Sequence, residues 1–123
     1  NNWNTQVNGV TPDYFDVRSW RIERGQPITD TDMRSLARVA LLGQTVVREL
    51  FRGEDPVGQT IRIRNSPYLV VGVLTRKGQS FDGRDQDDTV LIPLTTAQRK
   101  LYGTSFPGSV RFFSVPREST SDA

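Results

Sequence analysis

The chain has 123 residues with 16 basic and 14 acidic side chains, a formal charge of +2, and 35% hydrophobic residues. That balance permits a packed core without covalent staples and is too apolar for disorder. It contains neither cysteine nor histidine, which excludes disulfides, thiolate nucleophiles, cysteine-based zinc sites and every serine–histidine or cysteine–histidine dyad, and removes the commonest general base and metal ligand.

The basic residues are interspersed with acidic ones instead of forming a stripe, so no nucleic-acid partner is expected. The longest apolar runs, Val39 to Leu42 and Leu69 to Leu74, are strand-length and far short of a bilayer span. The chain opens on Asn1, Asn2 and Trp3 without an initiator Met or a signal pattern, and is expected to be a soluble piece of a longer protein.

In chain order, Trp3 to Val10 alternates loosely and predicts a weak strand. Thr11-Pro12 starts a helical turn, with Thr as cap and Pro at the first helical position. Val17 to Ile22 predicts a second strand, broken by Gly25-Gln26-Pro27. Thr29 to Asp32 supplies caps and N-terminal negative charge for a short helix to about Leu36. Arg38 to Leu42 predicts a buried strand. Thr45 to Arg52 predicts a helix with Val46, Val47, Leu50 and Phe51 on one face, and Gly53 suits the left-handed position beyond it.

Asp55-Pro56-Val57-Gly58 predicts a turn. Thr60 to Arg64 alternates, with Ile61 and Ile63 inward, and Asn65-Ser66-Pro67 closes a hairpin onto Tyr68 to Leu74. Lys77 to Asp88 is polar, with two Gly and four Asp, and predicts a long exposed loop, the most mobile internal segment. Val90 to Pro93 is a short strand. Thr95 and Gln98 have capping-box spacing, with Gly103 ending that helix. Ser109 to Val115 is a last strand. The expected fold is α+β: a small mixed, partly antiparallel sheet of about six strands with about three short helices. It forms one domain over 1–115 and a disordered tail over 116–123.

Asp82, Asp85, Asp87 and Asp88 form the densest acidic group. A hard-cation site and a carboxylate acid–base pair are the functional alternatives. The spacing lacks the closing acidic residue of a twelve-residue calcium loop, and a solvated loop that caps turns and pairs with Arg84 is the preferred reading. No phosphate-cradling glycine motif occurs. Neither a cofactor nor a catalytic or metal-binding residue is therefore expected. Trp3, Tyr14, Phe15 and Trp20 are taken as core anchors, and the adjacent Phe112 and Phe113 should point to opposite faces of their strand.

The succession of motifs resembles a known family. It runs through Val10-Thr11-Pro12-Asp13-Tyr14-Phe15, Val39-Ala40-Leu41-Leu42-Gly43 and Asp55-Pro56-Val57-Gly58-Gln59-Thr60-Ile61-Arg62-Ile63. It continues through Val70-Val71-Gly72-Val73-Leu74 and Asp85-Gln86-Asp87-Asp88 to Ile92-Pro93 and Thr95-Thr96-Ala97. In order, over roughly Val7 to Gly103, these look like the periplasmic core domain of MacB-type ABC transporter permeases.

The resemblance implies an extracytoplasmic domain between the first two membrane helices of an inner-membrane permease. That domain has a porter-like part and a smaller inserted α/β part, and this chain looks like the latter. It implies a non-catalytic role in efflux, antimicrobial peptide transport included, by partner docking and mechanical transmission. The parent would be a membrane-embedded homodimer with an ATPase domain or subunit, and the partner a periplasmic adaptor protein. Lipoprotein release or sensing is an alternative within the superfamily. The family brings no catalytic motif to this domain. Phe81, Arg84, Asp85, Gln86 and Asp87 are the candidate contact residues, because that segment mixes both charge signs around one apolar anchor.

Overall fold

The computed structural model describes residues 2–79, 83–102 and 111–116. Seven strands form one mixed sheet: β1 (Asn2–Val10), β2 (Ile22–Gly25), β3 (Val39–Leu42), β4 (Thr60–Ile63), β5 (Ser66–Leu74), β6 (Thr89–Pro93) and β7 (Arg111–Pro116). The order is β2-β5-β3-β6-β1-β7, with β4 also on β5. The β1–β6 and β3–β5 pairs are parallel and the other four pairs antiparallel. Strand β5 holds β3 along one edge. Its other edge takes β4 over Ser66 to Leu69 and then β2 over Gly72 to Leu74.

The helices are α1 (Tyr14–Val17), α2 (Asp30–Ser35), α3 (Gln44–Phe51) and α4 (Leu94–Ala97), the last continuing as a π-helical turn over Gln98–Tyr102. The α+β expectation with a mixed, partly antiparallel sheet therefore holds, with one more strand and one more α-helix than expected. None of the described helices is long and apolar enough to cross a membrane.

Alternation along the central strands builds two apolar layers. Val90 and Ile92 of β6, Ala40 and Leu42 of β3, and Val7 of β1 meet Val46, Leu50 and Phe51 of α3 on one face. Leu91 and Leu41 join Phe15, Trp20 and Ile28 on the other. All five residues of β6 are buried, as a strand covered on both faces requires. A register shift opposite Ala40 and Leu41 leaves Val71 out of the pairing. Tyr68 and Val70 before it and Val73 after it can all therefore face the α3 layer. Here Gly25 adopts φ 81°, and a Cβ on it would stand 2.0 Å from the Val71 carbonyl oxygen, so no other residue fits.

Several local expectations change. Val17 ends α1, and the second strand begins only at Ile22. Trp20 is buried between them with its indole N–H donating to the Thr75 carbonyl at 2.8 Å, so the aromatic fixes a turn and not a strand. Thr11 does not cap α1. Asp13 holds that position, and the Thr11 hydroxyl donates to the Asp13 carboxylate. The Thr95–Gln98 capping box does not form either: α4 begins after Pro93, and Thr95 donates to the Met33 carbonyl of α2 at 2.7 Å. By contrast, the Thr29 cap is a full capping box closed by Asp32. The hairpin turn is Arg64-Asn65, at φ 52° and 68°, the pair of positive angles of a type I′ turn. Gly103, residues 109–110 of the last predicted strand and residues 117–123 of the predicted tail lie outside the described residues. So do the side chains of Phe112 and Phe113.

Candidate functional site

The acidic segment lies where β1, the N-terminus of α3 and the residues after β5 converge. It is not the uniformly exposed loop expected. Asp87 is only 4% exposed. Its carboxylate accepts the backbone N–H of Lys77 at 2.7 Å and of Gly78 at 2.9 Å. Its carbonyl accepts the Thr45 N–H in the first turn of α3 at 3.2 Å. The approach is close enough that a Cβ on Gly43 would lie 2.1 Å from the Asp87 carbonyl oxygen. Glycine at 43 thus lets the segment seat on α3.

The neighbouring carboxylates are also committed. Asp85 accepts the Thr45 hydroxyl at 2.7 Å on one oxygen and the Asp87 N–H at 2.9 Å on the other. Asp88 accepts the Trp3 indole N–H at 2.8 Å and the Thr5 hydroxyl at 2.7 Å on a single oxygen. A short bridge pairs Gln79 with Asp85, and Gln86 donates its N–H to the Gly78 carbonyl at 3.0 Å. These three aspartates are therefore ties: Asp85 to α3, Asp87 to the exit of β5, Asp88 to the start of β1. Among the described residues no three acidic side chains are grouped as metal ligands. Phe81 and Asp82 lie outside the described residues.

Of the remaining candidate contact residues, Arg84 and Asp85 are exposed and Gln86 is half-buried. All three line a surface cleft of about 340 Å3 with Gln6 and Asn8 of β1, Tyr14 of α1, Arg18 at the C-cap of α1, and Trp20. Asp87 faces away from it, toward a second depression of about 720 Å3 beside Gln44, Arg48 and Arg76. The cleft wall is braced by cations over aromatic faces: Arg18 stands 5.6 Å from the Tyr14 ring centre and Lys77 5.4 Å from that of Trp20. Lys77 also donates to the Arg18 carbonyl at 3.0 Å. Sequence reasoning found Tyr14 and Trp20 as anchors but not their place beside the acidic segment, because 55 residues separate Trp20 from its partner Thr75.

The fold and the site define a mixed-sheet domain whose acidic segment serves as internal scaffolding beside a polar cleft. Comparison with known proteins identifies its kind. A family model described as the MacB-like periplasmic core domain matches residues 1–120. Over 109 residues, 88% of this chain and 17% of the relative, it is 46% identical to the macrolide export ATP-binding/permease protein MacB of Rhodospirillum rubrum. Over 105 residues, 85% of this chain and 16% of the relative, it is 33% identical to the pyoverdine export ATP-binding/permease protein PvdT of Pseudomonas aeruginosa. The crystal structure of the periplasmic region of MacB from Actinobacillus actinomycetemcomitans superposes with a TM-score of 0.71 at 22% identity, covering 98% of this chain and 58% of that one, a likeness of fold. The chain belongs to the MacB-like periplasmic core domain family. It spans less than a fifth of the length of the curated relatives it matches.

Proposed function

We propose that this chain is the extracytoplasmic domain of an ABC-type export permease of the inner membrane, acting by protein docking and by transmission of movement and not by catalysis. The family match over residues 1–120 carries this reading. The parent protein would be a homodimer driven by an ATPase domain or subunit elsewhere, and the docked protein a periplasmic adaptor. The names of the relatives, macrolide export and pyoverdine export, support export of compounds out of the cell and differ in cargo.

The internal use of Asp85, Asp87 and Asp88 supports a scaffold role for the acidic segment over the acid–base alternative, since a catalytic carboxylate needs a lone pair facing substrate. The proposed docking surface is the segment from Phe81 to Asp87. Arg84, Asp85 and Gln86 offer polar contacts there, and Asp87 shapes the turn from within. The test is deletion of this domain from the full-length permease. Export and adaptor binding should be lost while basal ATP hydrolysis in detergent remains. Export that persists at the parent level would overturn the reading.

A further inference from the structure

Helix α2 lies on the outside of the molecule and none of its residues is buried. Its ends are satisfied from within. Thr29 and Asp32 form a reciprocal capping box at the start, and the Ala37 N–H returns to the Asp32 carbonyl at 3.0 Å at the end. Ser35 likewise donates to the Thr31 carbonyl at 2.8 Å. Met33 packs, half-buried, against the second apolar layer. Two further bonds reach the helix from α4: the Thr95 hydroxyl donates to the Met33 carbonyl and the Thr96 hydroxyl to the Ala37 carbonyl, each at 2.7 Å. Thr96 and Ala97 are fully buried, so α4 is the anchored side of this contact and α2 the loose side. At the C-cap Leu36 adopts a left-handed φ of 54°. That conformation is unfavourable for a residue with a Cβ, and the strain is relieved when the helix comes apart. A helix of six residues does not persist by itself in water, so once off α4 it unravels.

We infer that α2 is a latch: it detaches from α4 and unravels as a local event while the sheet stays folded, and the Thr95 and Thr96 hydroxyls set how often it does so. Opening lifts Met33 off the layer that contains Leu41, Leu74 and Leu91. Strands β3 and β6, paired at Leu41 and Leu91, remain joined beneath it. Because few apolar contacts are broken, the free energy of this opening is far below that of global unfolding. The inference does not rest on the export reading, since the opening is a property of this chain. Native-state hydrogen exchange of the intact chain, followed by NMR in increasing urea, tests it. The α2 probes are the amides of Met33 and Ala37, bonded to the Thr29 and Asp32 carbonyls. The reference is the Gly43 amide, bonded between β3 and β6 to the Thr89 carbonyl at 2.9 Å.

In the parent chain the Met33 and Ala37 amides should be protected about a hundredfold or more less than Gly43. Their exchange should also respond weakly to urea, because the opening exposes little surface. Thr95→Val and Thr96→Val each remove one hydroxyl donor and keep the branched shape. Each should speed exchange of the α2 amides by about two- to tenfold, the effect of one lost hydrogen bond. A helix that merely frays, with its bonds to α4 intact, would exchange at the same rate in the parent and in both variants, and that result overturns the inference. The parent chain alone can also overturn it. Protection of Met33 and Ala37 equal to that of Gly43, with the same urea dependence, would mean that α2 opens only when the whole domain unfolds.

Discussion

Asp87 is the residue on which the segment after β5 turns. Its carboxylate, buried and shared by two backbone N–H groups, is the kind of acceptor whose removal leaves donors unsatisfied. Asp87→Ala should cost about 1.5–3 kcal/mol in chemical denaturation, and Asp87→Asn less, since one acceptor oxygen remains. A loss within error for Asp87→Ala would show that water replaces the carboxylate without penalty. Tyr68 presents the opposite case. Its side chain is fully buried in the α3 layer and its hydroxyl has no hydrogen-bond partner among the described residues. Tyr68→Phe should therefore leave stability unchanged or raise it by up to about 1 kcal/mol.

Burial also raises the Tyr68 pKa above its ordinary 10.0, with the nearby Arg38 charge opposing. The neutral phenol is thus favoured in the folded state. Its contribution is fully present below pH 10 and is lost as pH rises through the folded pKa. Equilibrium unfolding from pH 9 upward, in steps, should show the parent chain losing stability more steeply than Tyr68→Phe. Parallel curves would contradict the assignment.

At the scale of elements, α3 and the acidic segment depend on one close approach. Gly43→Ala would press a methyl group into the Asp87 carbonyl, 2.1 Å away, and should cost about 2–4 kcal/mol by thermal melting. An unchanged melting temperature would mean that the segment lifts off α3 freely. The end of the same helix offers a gain. Arg52 is exposed and adopts a left-handed φ of 43° at the C-cap, so Arg52→Gly should stabilise by roughly 0.5–1 kcal/mol.

The elements legible in the sequence were those whose pattern is local. The Ile61–Ile63 alternation, the Thr29–Asp32 cap and the α3 face of Val46, Leu50 and Phe51 each follow from neighbours within four residues. The misreadings were tertiary in origin. Thr95 forsakes its own helix for Met33, 62 residues away, and Trp20 turns the chain because its indole reaches Thr75. The candidate site was half visible for the same reason. Four closely spaced Asp marked the segment. Nothing in their spacing announced that Asp85, Asp87 and Asp88 bond to Thr45, Lys77 and Trp3.

For the whole molecule, those bonds make the segment a junction. The strand paired to β7 at its first residue, Asn2 to Pro116, is tied through Trp3 and Thr5 to Asp88, and from there through Asp85 to α3. Such a junction would carry displacement between the paired ends of β1 and β7 and the docking surface proposed around Phe81 and Arg84. The most direct test is surface plasmon resonance of the full-length parent protein with the periplasmic adaptor proposed as its partner. Phe81→Ala should weaken binding by about 2 kcal/mol or more, as for an apolar anchor. Arg84→Ala should chiefly lower the association rate and its salt dependence. Adaptor binding unaltered by both substitutions, in proteins that remain folded, would contradict docking through this segment.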